Sequence, residues 1–111
     1  MRKLILGELK MSTTVIVSFQ VKQDQVEALL ALLSDVQPKV IEAGGHSISL
    51  LQDQDDPTRV FEIEVWPSAD DHKRFIEGAN SSGTFAPFEV MLAAPPQANY
   101  VNTVKRTESE S

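Results

Sequence analysis

Glu62, Glu64 and Trp66 occupy alternate positions of the run Phe61-Glu62-Ile63-Glu64-Val65-Trp66, and His72 follows six residues after the indole. On a β-strand, alternate side chains point to one face, so both carboxyls would share a side with Trp66. Two readings of the pair are open. If that face is buried against helices, ionisation is costly and the carboxyl pKa values rise, which suits proton abstraction from a phenol or an enol. If it lies toward a rim, the carboxylates are solvated or paired with Arg and Lys. His72 lies between Asp71 and Lys73-Arg74, one turn into a predicted helix. Turned inward, it is placed to act as a general base near neutral pH; turned outward, it is a solvated histidine on a charged helix. Phe75, Phe85, Phe88, Met91 and Leu92 have a spacing that fits either core packing or the apolar lining of a pocket.

Other chemistries find no support. The chain has no cysteine, which excludes disulfides, thiolate metal sites and cysteine nucleophiles. Its two histidines, His46 and His72, lack a paired spacing, and no metal site is expected. Asp53, Asp55 and Asp56, with Glu64 twelfth in the count, imitate a calcium loop, but Thr58 stands where such a loop needs Gly and the flanks read as strands. The segment is read as an acidic turn. Ser81-Ser82-Gly83 lacks the G-x-S-x-G pattern of a nucleophile elbow, and no glycine-rich phosphate loop occurs. Ten Lys and Arg against 16 Asp and Glu give a net charge of −6 without a basic cluster, which argues against nucleic acid as a partner. Apolar runs fall far short of the ~20 residues that span a bilayer, so no membrane partner is expected.

These residues must be positioned by a single small domain, since 111 residues bury roughly 65% of the unfolded surface around one core. Residues 1–12 read as a leader: Arg2 and Lys3 precede Leu4-Ile5-Leu6, too short an apolar run for a signal peptide, and Met11 is an alternative start. A cytoplasmic location is expected. The domain occupies residues 13–105, and a polar tail 106–111 follows. Residues 14–21 alternate as a strand, with Val15, Val17, Phe19 and Val21 on one face. Asp24 is the expected N-cap of a helix carrying Val26, Leu29, Leu30, Leu33, Val36 and Val40, with a kink or restart at Pro38 and a stop at Gly44-Gly45. Residues 46–52 and 60–66 form a hairpin. Ser68 and Asp71 cap a helix, residues 84–92 form a second short one, and residues 98–104 a closing strand. The order β-α-β-β-α(α)-β is the ferredoxin-like α+β arrangement, with helices on one face of a four-stranded antiparallel sheet. Strands 1 and 3 carry apolar side chains on both faces, more than one helical layer covers, so a homodimer is expected.

The strand ending in Trp66, the polar cap Pro67-Ser68-Ala69-Asp70, the aromatic-bearing helix pair, Gly44-Gly45 before strand 2 and the closing strand around Tyr100 resemble the antibiotic biosynthesis monooxygenase family. The resemblance covers residues 14–104 and implies a dimeric α/β barrel. It also implies a pocket between sheet and helices, with Trp66 in the wall as a flat surface for a small aromatic substrate; the other reading of Trp66 is core. Members with oxygenase activity oxidise phenols or quinols, often without a cofactor, and none is expected here. Where quinone-forming members place an amide four residues before this Trp, the chain has Glu62; where they place an aromatic hydroxyl six residues after it, the chain has His72. By resemblance Trp66, Phe75, Phe85 and Phe88 bind substrate, and His72, Glu64 or Glu62 takes its proton. A non-catalytic dimer that binds a small ligand or a partner is the alternative. A haem-binding or haem-degrading oxygenase is another, although the Asn that branch carries on strand 1 is missing and its haem-ligand His lies further along the helix.

Overall fold

The computed structural model describes residues 12–110; apart from Ser12, the expected leader lies outside the described residues. Strand β1 (Thr13–Gln20) runs antiparallel to β3 (Arg59–Trp66) along its whole length, from Thr13 opposite Trp66 to Gln20 opposite Arg59. Strand β2 (Ser47–Gln52) pairs on the other side of β3, and β4 (Gln97–Val101) on the other side of β1. The sheet order is β2-β3-β1-β4, all antiparallel, in agreement with the ferredoxin-like expectation. The β2–β3 turn is held by Asp53, whose Oδ1 accepts the backbone N–H groups of Asp55 (2.8 Å) and Asp56 (2.9 Å). These bonds hold its carboxyl below the usual range, and the acidic turn is thus a backbone device.

Helix α1 (Val26–Glu42) buries Leu29, Leu33, Val36 and Val40, one stripe at 3–4 residue intervals. Two details differ from expectation. Asp24 lies inside a 3₁₀ turn (Gln23–Gln25) and does not cap the helix. The helix also runs through Pro38 without a restart. Pro38 and Ser34, whose carbonyl loses its partner, are both exposed, so water is available to that carbonyl. Helix α2 (Ala69–Ser81) starts as expected: Ser68 Oγ accepts from Asp71 N (3.1 Å) and donates to Asp71 Oδ2 (2.9 Å). The helix expected over 84–92 contracts to α3 (Phe88–Met91), because residues 82–87 form turns and Pro87 sits at its N-cap. Strand β4 stops at Val101, opposite Thr14, where β1 has nearly run out of residues to pair; residues 102–110 continue exposed and without regular structure.

Helices cover the face bearing Val15, Val17, Phe19, Val60, Glu62, Glu64 and Trp66. The opposite face presents Ile16, Leu51, Phe61, Ile63, Val65 and Val101. Leu51 and Ile63 are 43% and 37% exposed, and no element among the described residues packs over them. No helix among those residues is long and apolar enough to cross a membrane.

The end of α1 is tied tightly to β2. Gly44 adopts φ 111°, a left-handed region that favours glycine, and Gly45 N donates to Val40 O at 2.9 Å. A Cβ on Gly45 would lie 2.7 Å from Val40 Cγ1 and 2.9 Å from Val40 O. Gly45→Ala is therefore expected to destabilise the fold by about 1–3 kcal/mol in urea unfolding. A change below about 0.5 kcal/mol would mean that the helix end yields freely.

Candidate functional site

The site begins with the alternation of β3. Val60 and Trp66 carry the apolar surface that packs under the helices, and the two positions between them on the same face are Glu62 and Glu64. Both carboxyls are buried, at 5% and 4% exposure. Trp66 is wholly enclosed with Val15, Val36 and Val40, and its Nε1 donates to Glu64 Oε1 at 2.8 Å. Glu62 and Glu64 are joined by a side-chain hydrogen bond. Burial, then the charge of Glu64, pushes the Glu62 carboxyl up to about 8. Burial also raises Glu64, against the opposing effect of the Trp66 and Glu62 hydrogen bonds. Two buried carboxyls this close titrate as a pair, and Glu62, the member driven up to about 8, keeps its proton at neutral pH. Glu62 Oε2 has no hydrogen-bond partner.

Helix α2 adds the histidine. The Ser68 cap fixes the first turn, and His72 is directed inward at 2% exposure, with its ring edge-on to Trp66 at 5.5 Å. Its Nδ1 is 2.8 Å from the Tyr100 hydroxyl, and its Nε2 is 3.9 Å from Glu64 Oε1 with no hydrogen-bond partner. That separation is too long for a hydrogen bond. Burial lowers the His72 pKa while it raises that of Glu64, so the two do not form an ion pair. Tyr100 reaches the site from β4, where its position opposite Val15 puts it on the helix-covered face. Its ring meets His72 edge-on at 5.4 Å, and Lys73 Nζ lies 5.3 Å from its centre.

Glu62, Glu64, His72 and Tyr100 border a cleft of about 990 Å³ between sheet and helices. Phe75, Phe85, Phe88 and Phe19 form its aromatic lining: Phe85 stacks on Phe88 at 5.2 Å and meets Phe75 edge-on at 6.4 Å. The structure thus brings together Glu62, Glu64, His72, Phe75, Phe85 and Phe88. Trp66 does not line the cleft; with no exposed surface it stands behind Glu64 and fixes that carboxyl, a correction to the wall implied by resemblance. Tyr100 is the site residue that sequence reasoning missed. It is the chain's one tyrosine, but its facing depends on the β1–β4 register, which has no local signature. His46 is exposed at the start of β2, far in the chain from this cluster. Among the described residues no group of three or more His, Cys, Asp or Glu side chains is arranged to hold a metal ion. Chemically, the arrangement offers a coupled carboxyl pair with its proton held on Glu62 and a neutral imidazole at one end of an aromatic-lined hollow.

A model of the antibiotic biosynthesis monooxygenase family matches residues 12–81. That segment includes Glu62, Glu64, Trp66 and His72, while Phe85, Phe88 and Tyr100 lie beyond it. No match was found among curated proteins. Among solved structures, the chain is similar to a candidate antibiotic biosynthesis monooxygenase of Nitrosomonas europaea (23% identity, TM-score 0.77, covering 89% of this chain and 96% of the other). It is also similar to a mutant of SnoaB, a cofactor-independent oxygenase of Streptomyces nogalater (12%, TM-score 0.76, 89% and 99%). A third similar structure is Rv0793 of Mycobacterium tuberculosis (18%, TM-score 0.74, 87% and 99%). At these identities the likeness is one of fold.

The proton held on Glu62 has a consequence for stability. Glu62 titrates higher in the folded than in the unfolded chain, so its contribution is complete below about 4.5 and is lost as pH rises through about 8. The lowered pKa of His72 acts oppositely, and only below its ordinary 6.5. Between pH 6.5 and 8, unfolding by urea should therefore show a loss of about 2 kcal/mol. In Glu62→Gln most of that slope should vanish; equal slopes in both proteins would count against a proton held on Glu62.

Proposed function

Because the chain belongs to the antibiotic biosynthesis monooxygenase family, we propose that its cleft is the active site of a cofactor-independent oxygenase acting on phenol- or quinol-type aromatic substrates. The observation that carries this reading is the Glu62–Glu64 pair, buried beside an aromatic-lined hollow. The phenyl rings of Phe75, Phe85 and Phe88 hold a flat ring by stacking and exclude water. The substrate hydroxyl gives its proton to Glu64, the ionised member of the pair, and the pair then holds two. The resulting phenolate is electron-rich enough to reduce dioxygen directly. One oxygen atom forms a bond to a ring carbon and stays as a carbonyl. The other leaves as water, taking the ring hydrogen and the proton returned by the pair. Phenol plus dioxygen thus gives quinone plus water, with all four electrons from the substrate. The protein's share is binding, deprotonation and exclusion of solvent.

A purely passive ligand-binding dimer is favoured less, because a carrier of apolar ligands has no need of two buried carboxyls bordering its cleft. The haem reading also fits poorly. His72 Nδ1 is engaged by Tyr100, and Nε2, though unbonded, is buried and turned toward Glu64 at 3.9 Å. The uncovered sheet face supports a homodimer in which a second copy packs against Ile16, Phe61, Ile63 and Val65.

Two measurements test the reading. Oxygen uptake with a panel of phenols and hydroquinones should exceed the buffer rate and fall at least about tenfold in Glu64→Gln; a rate equal to buffer across the panel would remove the oxygenase. Sedimentation at micromolar concentration should give a dimer for the wild type and a single subunit for Ile63→Asp, since a charge on a covered apolar face is strongly unfavourable. A wild-type monomer would overturn the paired arrangement.

A further inference from the structure

We propose that Tyr100 is a positioning residue of this site: its hydroxyl donates to Nδ1 of His72 and thereby places the single N–H of the imidazole on Nε2, facing Glu64. The argument starts from the 2.8 Å contact between Nδ1 and the Tyr100 oxygen, which is compatible with either direction of donation. The surroundings of the other nitrogen decide between them. His72 Nε2 is buried and lies 3.9 Å from Glu64 Oε1, an oxygen that already accepts from Trp66. If Nδ1 carried the proton, the buried Nε2 lone pair would face a carboxylate oxygen, with repulsion and no compensating bond. If Nε2 carries it, the N–H dipole points at the carboxylate and the Nδ1 lone pair is satisfied by the phenol. Nδ1 is bonded to the phenol in either tautomer and Nε2 makes no hydrogen bond in either, so the choice rests on the sign of the dipole turned toward Glu64.

The groups facing this imidazole from each neighbouring element agree. From β3 come Trp66, Glu64 and its hydrogen-bonded partner Glu62; from β4 comes Tyr100. From α2, Lys73 Nζ lies 5.3 Å from the centre of the Tyr100 ring. Burial and Glu64 hold the Tyr100 phenol above its ordinary pKa, so it remains a donor at neutral pH. His72 is kept neutral by burial, which leaves one ring proton to be placed.

This arrangement divides the work of the acid pair. The Nε2–H dipole and the Trp66 N–H both favour charge on Glu64, and Glu62 is left as the protonated member. Tyr100 therefore acts on the base through His72. Its use during turnover rests on the proposed function; the tautomer itself does not.

The test is direct because the chain has only two histidines, and His46 is exposed. Long-range ¹H–¹⁵N correlation on ¹⁵N-labelled protein at neutral pH should show the second imidazole with a protonated Nε2 and an unprotonated Nδ1. In Tyr100→Phe, which keeps the ring and removes only the hydroxyl, the His72 Nδ1 resonance should move while that of His46 stays. A proton on Nδ1 in the wild type would overturn the proposal, whether or not the variant folds. So would His72 resonances unchanged by Tyr100→Phe. With a phenol that turns over, the same variant should lower kcat about tenfold with little change in KM. If the resonances behave as expected and no phenol consumes oxygen, the positioning role stands and the oxygenase reading fails.

Discussion

Two carboxyl groups lie on the core side of β3 because the strand cannot bury Val60 and Trp66 without burying what stands between them. A period of two allows no exception within a regular strand. Register with β1 reinforces it: Val15 lies opposite Glu64, Val17 opposite Glu62 and Phe19 opposite Val60. A one-residue slip would place Phe61, Ile63 and Val65 under the helices and free both carboxyls, but it would also expose the only tryptophan. The hydrophobic effect on one indole and its neighbours thus enforces an arrangement that electrostatics opposes.

That opposition is moderated locally. The proton on Glu62 removes one of the two charges, and the Trp66 N–H meets the other. Tyr100 occupies one nitrogen of His72. Two polar atoms, Glu62 Oε2 and His72 Nε2, still have no hydrogen-bond partner. Unmet polar atoms in a dry core destabilise a fold, and they are commonly found where binding or catalysis uses them. The aromatic lining does the reverse: Phe75, Phe85, Phe88 and Phe19 pack on one another and give the hollow a fixed shape.

Much of this was legible from residue order. Alternation in 13–20 and 59–66, the stripe on α1 and the Ser68 cap locate the elements and their faces. Other features depended on context beyond a local window. Whether Glu62 and Glu64 face core or rim depends on which side the helices cover. Pro38 is tolerated because its turn of helix faces solvent, a tertiary fact. The contraction of the last helix to Phe88–Met91 reflects the turns of residues 82–87, and Asp24 is drawn into a 3₁₀ turn. Tyr100 is the sharpest case, since nothing near it marks it as a partner of a histidine 28 residues earlier. Trp66 was recognisable as important, but only coordinates separate a surface for a ligand from an anchor for a carboxyl.

The match to the family model ends at residue 81, the last residue of α2, and this boundary coincides with a division inside the cleft. Glu62, Glu64 and His72 come from the matched portion, and Tyr100, which engages His72, from beyond it. Phe85, Phe88 and the segment 93–98, which form the roof and rim, come after it. A change of length or shape between residues 82 and 98 would therefore alter the hollow while the two carboxyls of β3 keep their place.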